Sequence, residues 1–135
     1  MRIMAIDYGD ARIGLAVSDP TGMISGEAWT LKEWDMNRAA LTIAAEAKGR
    51  SVTRLVLGFP KNMDGSIGPR AEKSQELKYL LEKESGLEVV LWDERRTTVD
   101  AHRILHQNGK KMKKHRETVD AVAATLILEA YLGTI

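Results

Sequence analysis

Residues 1–19, MRIMAIDYGDARIGLAVSD, constrain the fold more than any other stretch. Apolar runs at 3–6 and 13–17 flank a short polar turn, 8–12, that contains Gly9 and Asp10. Each run has the length of a strand and the turn has hairpin chemistry, so the chain opens with two antiparallel strands. Asp7 departs from the pattern. It continues the alternation of Ile3 and Ala5 and therefore points to the same side as two apolar residues. A carboxylate in that position must be paired, hydrogen-bonded or metal-bound. Gly9 and Gly14 leave room for another group to approach the backbone.

The following segments extend this hairpin into a sheet. Residues 23–32 read as a third strand, antiparallel to the second, with Trp29 and Leu31 on one face. Asp35 can cap a helix whose apolar stripe is Met36, Ala39, Ala40, Ile43, Ala44 and Ala47, with Gly49 as its end. Residues 54–59, RLVLGF, are nearly all apolar, as in a strand covered on both faces. Residues 60–68 show no periodicity and centre on Asp64-Gly65. Loops of this length in compact domains are often functional. Pro69 suits the first turn of a second helix, which turns Leu77, Leu80 and Leu81 inward and stops near Gly86. Residues 87–92 form another apolar strand, which leads into Asp93-Glu94-Arg95-Arg96. Thr97 and Asp100 resemble a capping box, followed by a helix bearing Ala101, Ile104 and Leu105 and closed at Gly109. The last helix covers about 117–132.

Three leading strands on short turns make a meander, and the later strands, each preceded by a helix, add in parallel through right-handed crossovers. The expectation is a single α/β domain over residues 1–135, a five-stranded mixed sheet in order 3-2-1-4-5 with helices on both faces. The C-terminal ends of the parallel strands then share one edge, where sites in such folds sit. That edge receives Asp7, the loop from Gly58 to Gly68, and Asp93 or Glu94.

A third acid points to the same place. Ala123, Ala124, Ile127, Leu128 and Tyr131 lie three, four, seven, eight and eleven residues after Asp120. That is the apolar stripe of the last helix, so Asp120 begins its inward face. Carboxylates gathered at one edge repel one another unless a cation intervenes. Oxygen ligands without Cys or His favour Mg²⁺ or Mn²⁺. Two such ions about 4 Å apart can activate water and stabilise the leaving oxygen in phosphodiester cleavage.

Charge supports a polyanionic partner. The net charge is +1, yet residues 95–116 carry eight Lys or Arg and one acid, a local +7 against −6 for the remainder. Arg95, Arg96, Lys110, Lys111, Lys113, Lys114 and Arg116 would bring a phosphate backbone to the acids. There is no cysteine, hence no disulfide or thiolate metal site. No apolar run approaches eighteen residues and no signal sequence opens the chain, so a complete cytoplasmic protein, not associated with a membrane, is expected.

Four motifs in order resemble one family across essentially the whole chain. They are Asp7-Tyr8-Gly9 with Arg12-Ile13-Gly14, Gly58-Phe59-Pro60 through Asp64-Gly65, Trp92-Asp93-Glu94-Arg95 with Thr97-Thr98, and Asp120-Ala121-Val122-Ala123-Ala124. The chain resembles the YqgF/RuvX family, Holliday junction resolvase-like nucleases of the ribonuclease H-like superfamily. The resemblance implies a bacterial cytoplasmic nuclease that matures the precursor of small-subunit ribosomal RNA in ribosome biogenesis. It also implies an older assignment, resolution of four-way DNA junctions. Asp7, Glu94 and Asp120 are then the catalytic and metal-binding residues, with Mg²⁺ or Mn²⁺ as cofactor. Gly58, Pro60, Asp64 and Gly65 form a substrate loop, and Arg12 joins the nucleic-acid-binding residues. The partners implied are an rRNA precursor or branched DNA and ribosomal particles, with the chain a monomer or weak homodimer.

The better-known junction resolvases resemble this fold but carry an acid at the end of the strand beside strand one. That position falls near Gly58 here, and the acid appears one strand further out. With strands about 4.8 Å apart, the longer Glu94 suits the task better than Asp93, which stays as the alternative. The other acid is expected to hold Arg95 or a loop.

Other features have plainer readings. His102 and His106 lie at i and i+4 but lack the intervening Glu of a zinc motif. Trp92 reads as core, since it belongs to an apolar strand. The 58–68 loop could cradle a phosphate but lacks the Gly-Lys-Ser/Thr ending of a Walker loop. Two rival functions stay open. One is an actin- or sugar-kinase-like ATPase, which also opens with Asp-x-Gly in a first hairpin but needs a pair of domains. The other is a nucleic-acid-binding factor with a vestigial site.

Overall fold

The computed structural model describes residues 1–96 and 116–135, with side chains in the last helix from Val119 onward. Thr97, Asp100, the helix expected behind them, His102, His106, Lys110, Lys111, Lys113, Lys114 and the side chain of Arg116 lie outside the described residues. In chain order the elements are β1 (Arg2–Asp7), β2 (Arg12–Ser18), β3 (Ser25–Lys32), α1 (Met36–Gly49), β4 (Val52–Phe59), α2 (Pro69–Ser85), β5 (Val89–Asp93), a 3₁₀ turn (Glu94–Arg96) and α3 (Arg116–Leu132).

The sheet has the expected order, β3-β2-β1-β4-β5. β1 pairs antiparallel with β2 and parallel with β4, β2 pairs antiparallel with β3, and β4 pairs parallel with β5. Alternation along the strands separates two cores. Met4, Ile6, Ile13, Leu15, Leu55 and Leu57 pack with Ile43 of α1 and Leu77 and Leu81 of α2. Ile3, Ala5, Ala16, Val56 and Trp92 pack with Ala124, Ile127, Leu128 and Tyr131 of α3. Helices therefore cover both faces. Each of the large side chains buried here contributes about 1.5–3 kcal/mol over leaving it in water. Trp92 is core as expected, edge-on to Tyr131 with ring centres 6.1 Å apart.

Several boundaries differ from the sequence expectation. β3 starts at Ser25, not Met23, because the Asp19 carboxylate accepts hydrogen bonds from the Thr21, Met23 and Ile24 amides and ties 19–24 into a turn. β5 starts at Val89, not Leu87, since the Leu87 amide is spent on Ser85 Oγ after the left-handed Gly86. Gly49 is the last residue of α1 and not its left-handed cap. That conformation falls to Ser51, at φ 58°. Asp35 caps α1 as expected, accepting from the Arg38 amide at 3.0 Å.

Candidate active site

Two glycines flank Asp7 on the face of the sheet that meets α3. Asp7 ends β1 opposite Gly14 of β2. On its other side, Gly58 of β4 stands one step beyond the Ile6–Leu57 pair and is itself opposite Trp92 of β5. Neither glycine position has room for a side chain. A Cβ on Gly14 would lie 2.0 Å from the Asp120 carbonyl oxygen. A Cβ on Gly58 would lie 2.9 Å from Glu94 Cδ, 2.9 Å from Ile127 Cδ1 and 3.1 Å from Glu94 Cγ.

Each gap admits one acid. At Gly14, the missing side chain lets α3 settle backbone-first onto β2, with Asp120 at the contact. At Gly58, it lets the Glu94 side chain lie across β4 from the end of β5. Glu94 reaches Asp7, and the two side chains hydrogen-bond to each other. Asp120 lies within electrostatic range of Asp7, and its Oδ2 is buried.

Burial, then the Glu94 charge and the hydrogen bond to Glu94, push the Asp7 carboxyl well above its usual range. The Asp120 charge adds to this, and the Arg70 guanidinium opposes it. The neutral form of Asp7 is thus favoured where it is buried against a second acid.

The donors suit a hard divalent ion, because all are carboxylate oxygens whose repulsion a cation would relieve. Among the described residues no three such side chains are already gathered as ligands. What is preformed is the Asp7–Glu94 pair, with Asp120 behind it.

Asp93 faces elsewhere. Its carboxylate takes a forked contact from Arg95, with Nε at 3.0 Å from both oxygens and a second guanidinium nitrogen 2.6 Å from Oδ2. Arg95 holds the Asp93 carboxyl below its ordinary value. The same guanidinium reaches the Met63 carbonyl at 3.5 Å. It thereby links the end of β5 to the 60–68 loop.

That loop is internally bonded. The Gly65 amide donates to the Asn62 carbonyl, Asn62 Nδ2 donates to Ser66 Oγ at 2.9 Å, and the Ser66 amide donates to Asp64 Oδ1 at 2.9 Å. Gly65 adopts φ +90°, which the turn requires. Asp64 serves the turn, and Pro60 follows directly on β4.

Among the described residues, the three expected cations lie in different places. Arg95 is engaged by Asp93. Arg96 stacks on the Trp92 ring at 4.1 Å. Arg12 opens β2 opposite Lys32 at the outer side of the hairpin.

Two cations that the sequence reading missed lie beside the turn that follows Asp7. Arg70 and Lys73, from the first turns of α2, border a pocket of about 250 Å³ with Tyr8, Gly9 and Asp10. A signal was available. Arg70 follows Pro69 at the start of α2, where the helix dipole disfavours a cation and a nearby anion would explain one.

The fold is shared across different chemistries. The chain superposes on RuvC of T. thermophilus, solved in complex with a Holliday junction substrate, at a TM-score of 0.66 and 14% identity, over 99% of this chain and 97% of that one. It also superposes on a ROK hexokinase from Thermus thermophilus at a TM-score of 0.52 and 22% identity, over 76% of this chain but 38% of that one. The fold is therefore ribonuclease H-like, and at these identities the likeness extends to the fold alone. Sequence is more discriminating. A family model described as "RuvX: Holliday junction resolvase" matches residues 1–134. The chain belongs to the RuvX family. A RuvX relative from Ruminiclostridium cellulolyticum, named "Putative pre-16S rRNA nuclease", is 41% identical over all of this chain and 96% of its own length. This RuvX chain therefore matches relatives named "Putative pre-16S rRNA nuclease" over nearly their full length, whereas its match to the kinase spans under half of that enzyme.

Proposed function

We propose that this chain is a divalent-metal-dependent endonuclease that cleaves phosphodiester bonds in structured nucleic acid, with the precursor of 16S ribosomal RNA as its substrate. The observation that carries the reading is the Asp7–Glu94 carboxyl pair, built over Gly58, in a chain 41% identical throughout to a relative named for that activity. Cleavage takes place in the cytoplasm during ribosome biogenesis, on free precursor or ribosomal particles.

Asp7, Glu94 and Asp120 would hold the ion. The chemistry that bound Mg²⁺ or Mn²⁺ supplies there, in a one- or two-ion site, is activation of water and neutralisation of charge at the phosphate. Because the neutral form of Asp7 is favoured, binding of the ion would be coupled to loss of a proton from Asp7. The Asp120 main chain is fixed by its contact at Gly14, so the fold sets where that side chain starts. Basic residues in 110–116 would bring the nucleic-acid backbone to this edge.

A second reading, cleavage of four-way DNA junctions, is favoured by the family description and the RuvC-like fold. One experiment separates the two. Purified protein is incubated with 5′-extended 16S precursor and with a labelled DNA junction, with Mg²⁺, Mn²⁺ or EDTA. Metal-dependent cleavage of the precursor, lost in Asp120→Asn while binding persists, is the expected result. Cleavage confined to the junction selects the second reading. Binding without cleavage of either substrate would make the chain a binding factor on a nuclease fold.

A further inference from the structure

The pocket beside Asp7 has a composition that the carboxylate site does not account for. Tyr8, Gly9 and Asp10 form one wall, the turn that directly follows Asp7. Arg70 and Lys73, on the exposed side of the first turns of α2, form the other. At about 250 Å³ the space exceeds what one phosphate group fills and opens to solvent on one side. Arg70 is close enough for its charge to act on Asp7, so the pocket and the carboxylate pair are neighbours. An anion already sits there. Lys73 Nζ holds Asp10 Oδ1 at 2.7 Å, and both side chains are substantially exposed, at 48% and 73%. Exposed pairs of this kind contribute little stability, so a phosphate can displace Asp10 at little cost.

We propose that this pocket is a subsite for one backbone phosphate of the nucleic acid, held by Arg70 and Lys73 on the α2 side of the Asp7–Glu94 pair, with Asp10 as the internal anion it replaces. The proposal rests on the nuclease reading above and adds a contact on the side of Asp7 that the basic segment 95–116 was not expected to serve. Arg70 matches phosphate with a planar fork of donors, and Lys73 adds a mobile point charge. A phosphate fixed there would orient the strand running past Asp7 and so place the neighbouring phosphodiester at the acids. Arg70 and Lys73 are positioning residues in this scheme and do not touch the reacting atoms.

The test measures binding of a fluorescent four-way DNA junction and of a 16S-precursor hairpin across a salt series in EDTA. Wild type, Arg70→Ala, Arg70→Lys, Arg70→Ala/Lys73→Ala and Asp10→Asn are compared. Loss of one duplex phosphate contact lowers the log–log salt slope by about 0.9. The double variant is expected to lose about that much, Arg70→Lys to retain most of the slope, and Asp10→Asn to bind more tightly. An unchanged slope in the double variant overturns the subsite, and a loss near twice that value, about 1.8, overturns the single shared phosphate. Weaker binding by Asp10→Asn overturns its role as a stand-in anion. If wild type binds neither nucleic acid, it is the nuclease reading that fails. If wild type binds both and the variants match it, the subsite alone fails.

Discussion

The Asp120 carbonyl oxygen lies where the Cβ of residue 14 would be, 2.0 Å from the ideal position on Gly14. The third acid is therefore seated by a main-chain contact between α3 and β2. Gly14→Ala must push α3 off the sheet, since backbone cannot swing aside as a side-chain tip can. The expected cost is about 3 kcal/mol or more, read from chemical denaturation. Gly49→Ala is the control. Nothing lies within 4 Å of a Cβ there, and the residue is helical, so the change should stabilise by about 0.5–1 kcal/mol. Equal effects at the two positions would show that α3 does not rest on Gly14.

Gly58→Ala should separate stability from activity. The atoms it meets are the far ends of Glu94 and Ile127, which can move. A loss of about 1–3 kcal/mol is expected, with the fold retained. Glu94 cannot then lie across β4 to Asp7, and a displacement of about 1 Å is enough to lower cleavage on the order of 10²-fold. A folded Gly58→Ala protein that cleaves at the wild-type rate would remove Glu94 from the site.

Asp93 and Glu94 are adjacent and should respond differently. Glu94→Gln removes one member of the carboxyl pair and should reduce cleavage at least as far as Gly58→Ala. Asp93→Asn releases Arg95 and, through the Met63 carbonyl, the 60–68 loop. Its effect should be that of an outer contact, about tenfold on cleavage. Cleavage assays at saturating substrate decide the order, and the reverse order would make Asp93 the ligand.

Metal-free stability should fall as pH rises. In the unfolded chain Asp7 titrates near 3.9, and in the native protein it titrates well above that. Between the two values the native state binds more protons than the unfolded state, so the stabilising contribution present at low pH is lost as pH rises through the folded pKa. Asp7→Asn cannot lose it. In EDTA the stability difference, variant minus wild type, should grow as pH rises above the unfolded value of about 3.9 and level off above the folded pKa, measured by denaturant midpoints. A difference that stays constant or shrinks would mean that Asp7 is not held protonated by its neighbours.

Periodicity determined much of this protein without reference to its tertiary structure. The two-residue alternation of 1–19 placed Asp7 on an apolar face, and the helical spacing behind Asp120 placed that acid inward, because both patterns are local and repeat within one element. Strand count and sheet order followed from the lengths of the connections between apolar runs. The choice between Asp93 and Glu94 could be approached from sequence through the gap at Gly58. What bears on it in the structure is the Asp93–Arg95 fork and the hydrogen bond between Asp7 and Glu94, which depend on contacts across strands and with a distant loop. Arg70 and Lys73 belonged wholly to the tertiary structure. They are about sixty residues from Asp7 in the chain, on a helix with no apolar anomaly, and only the crossover from β4 to β5 sets them beside the first hairpin.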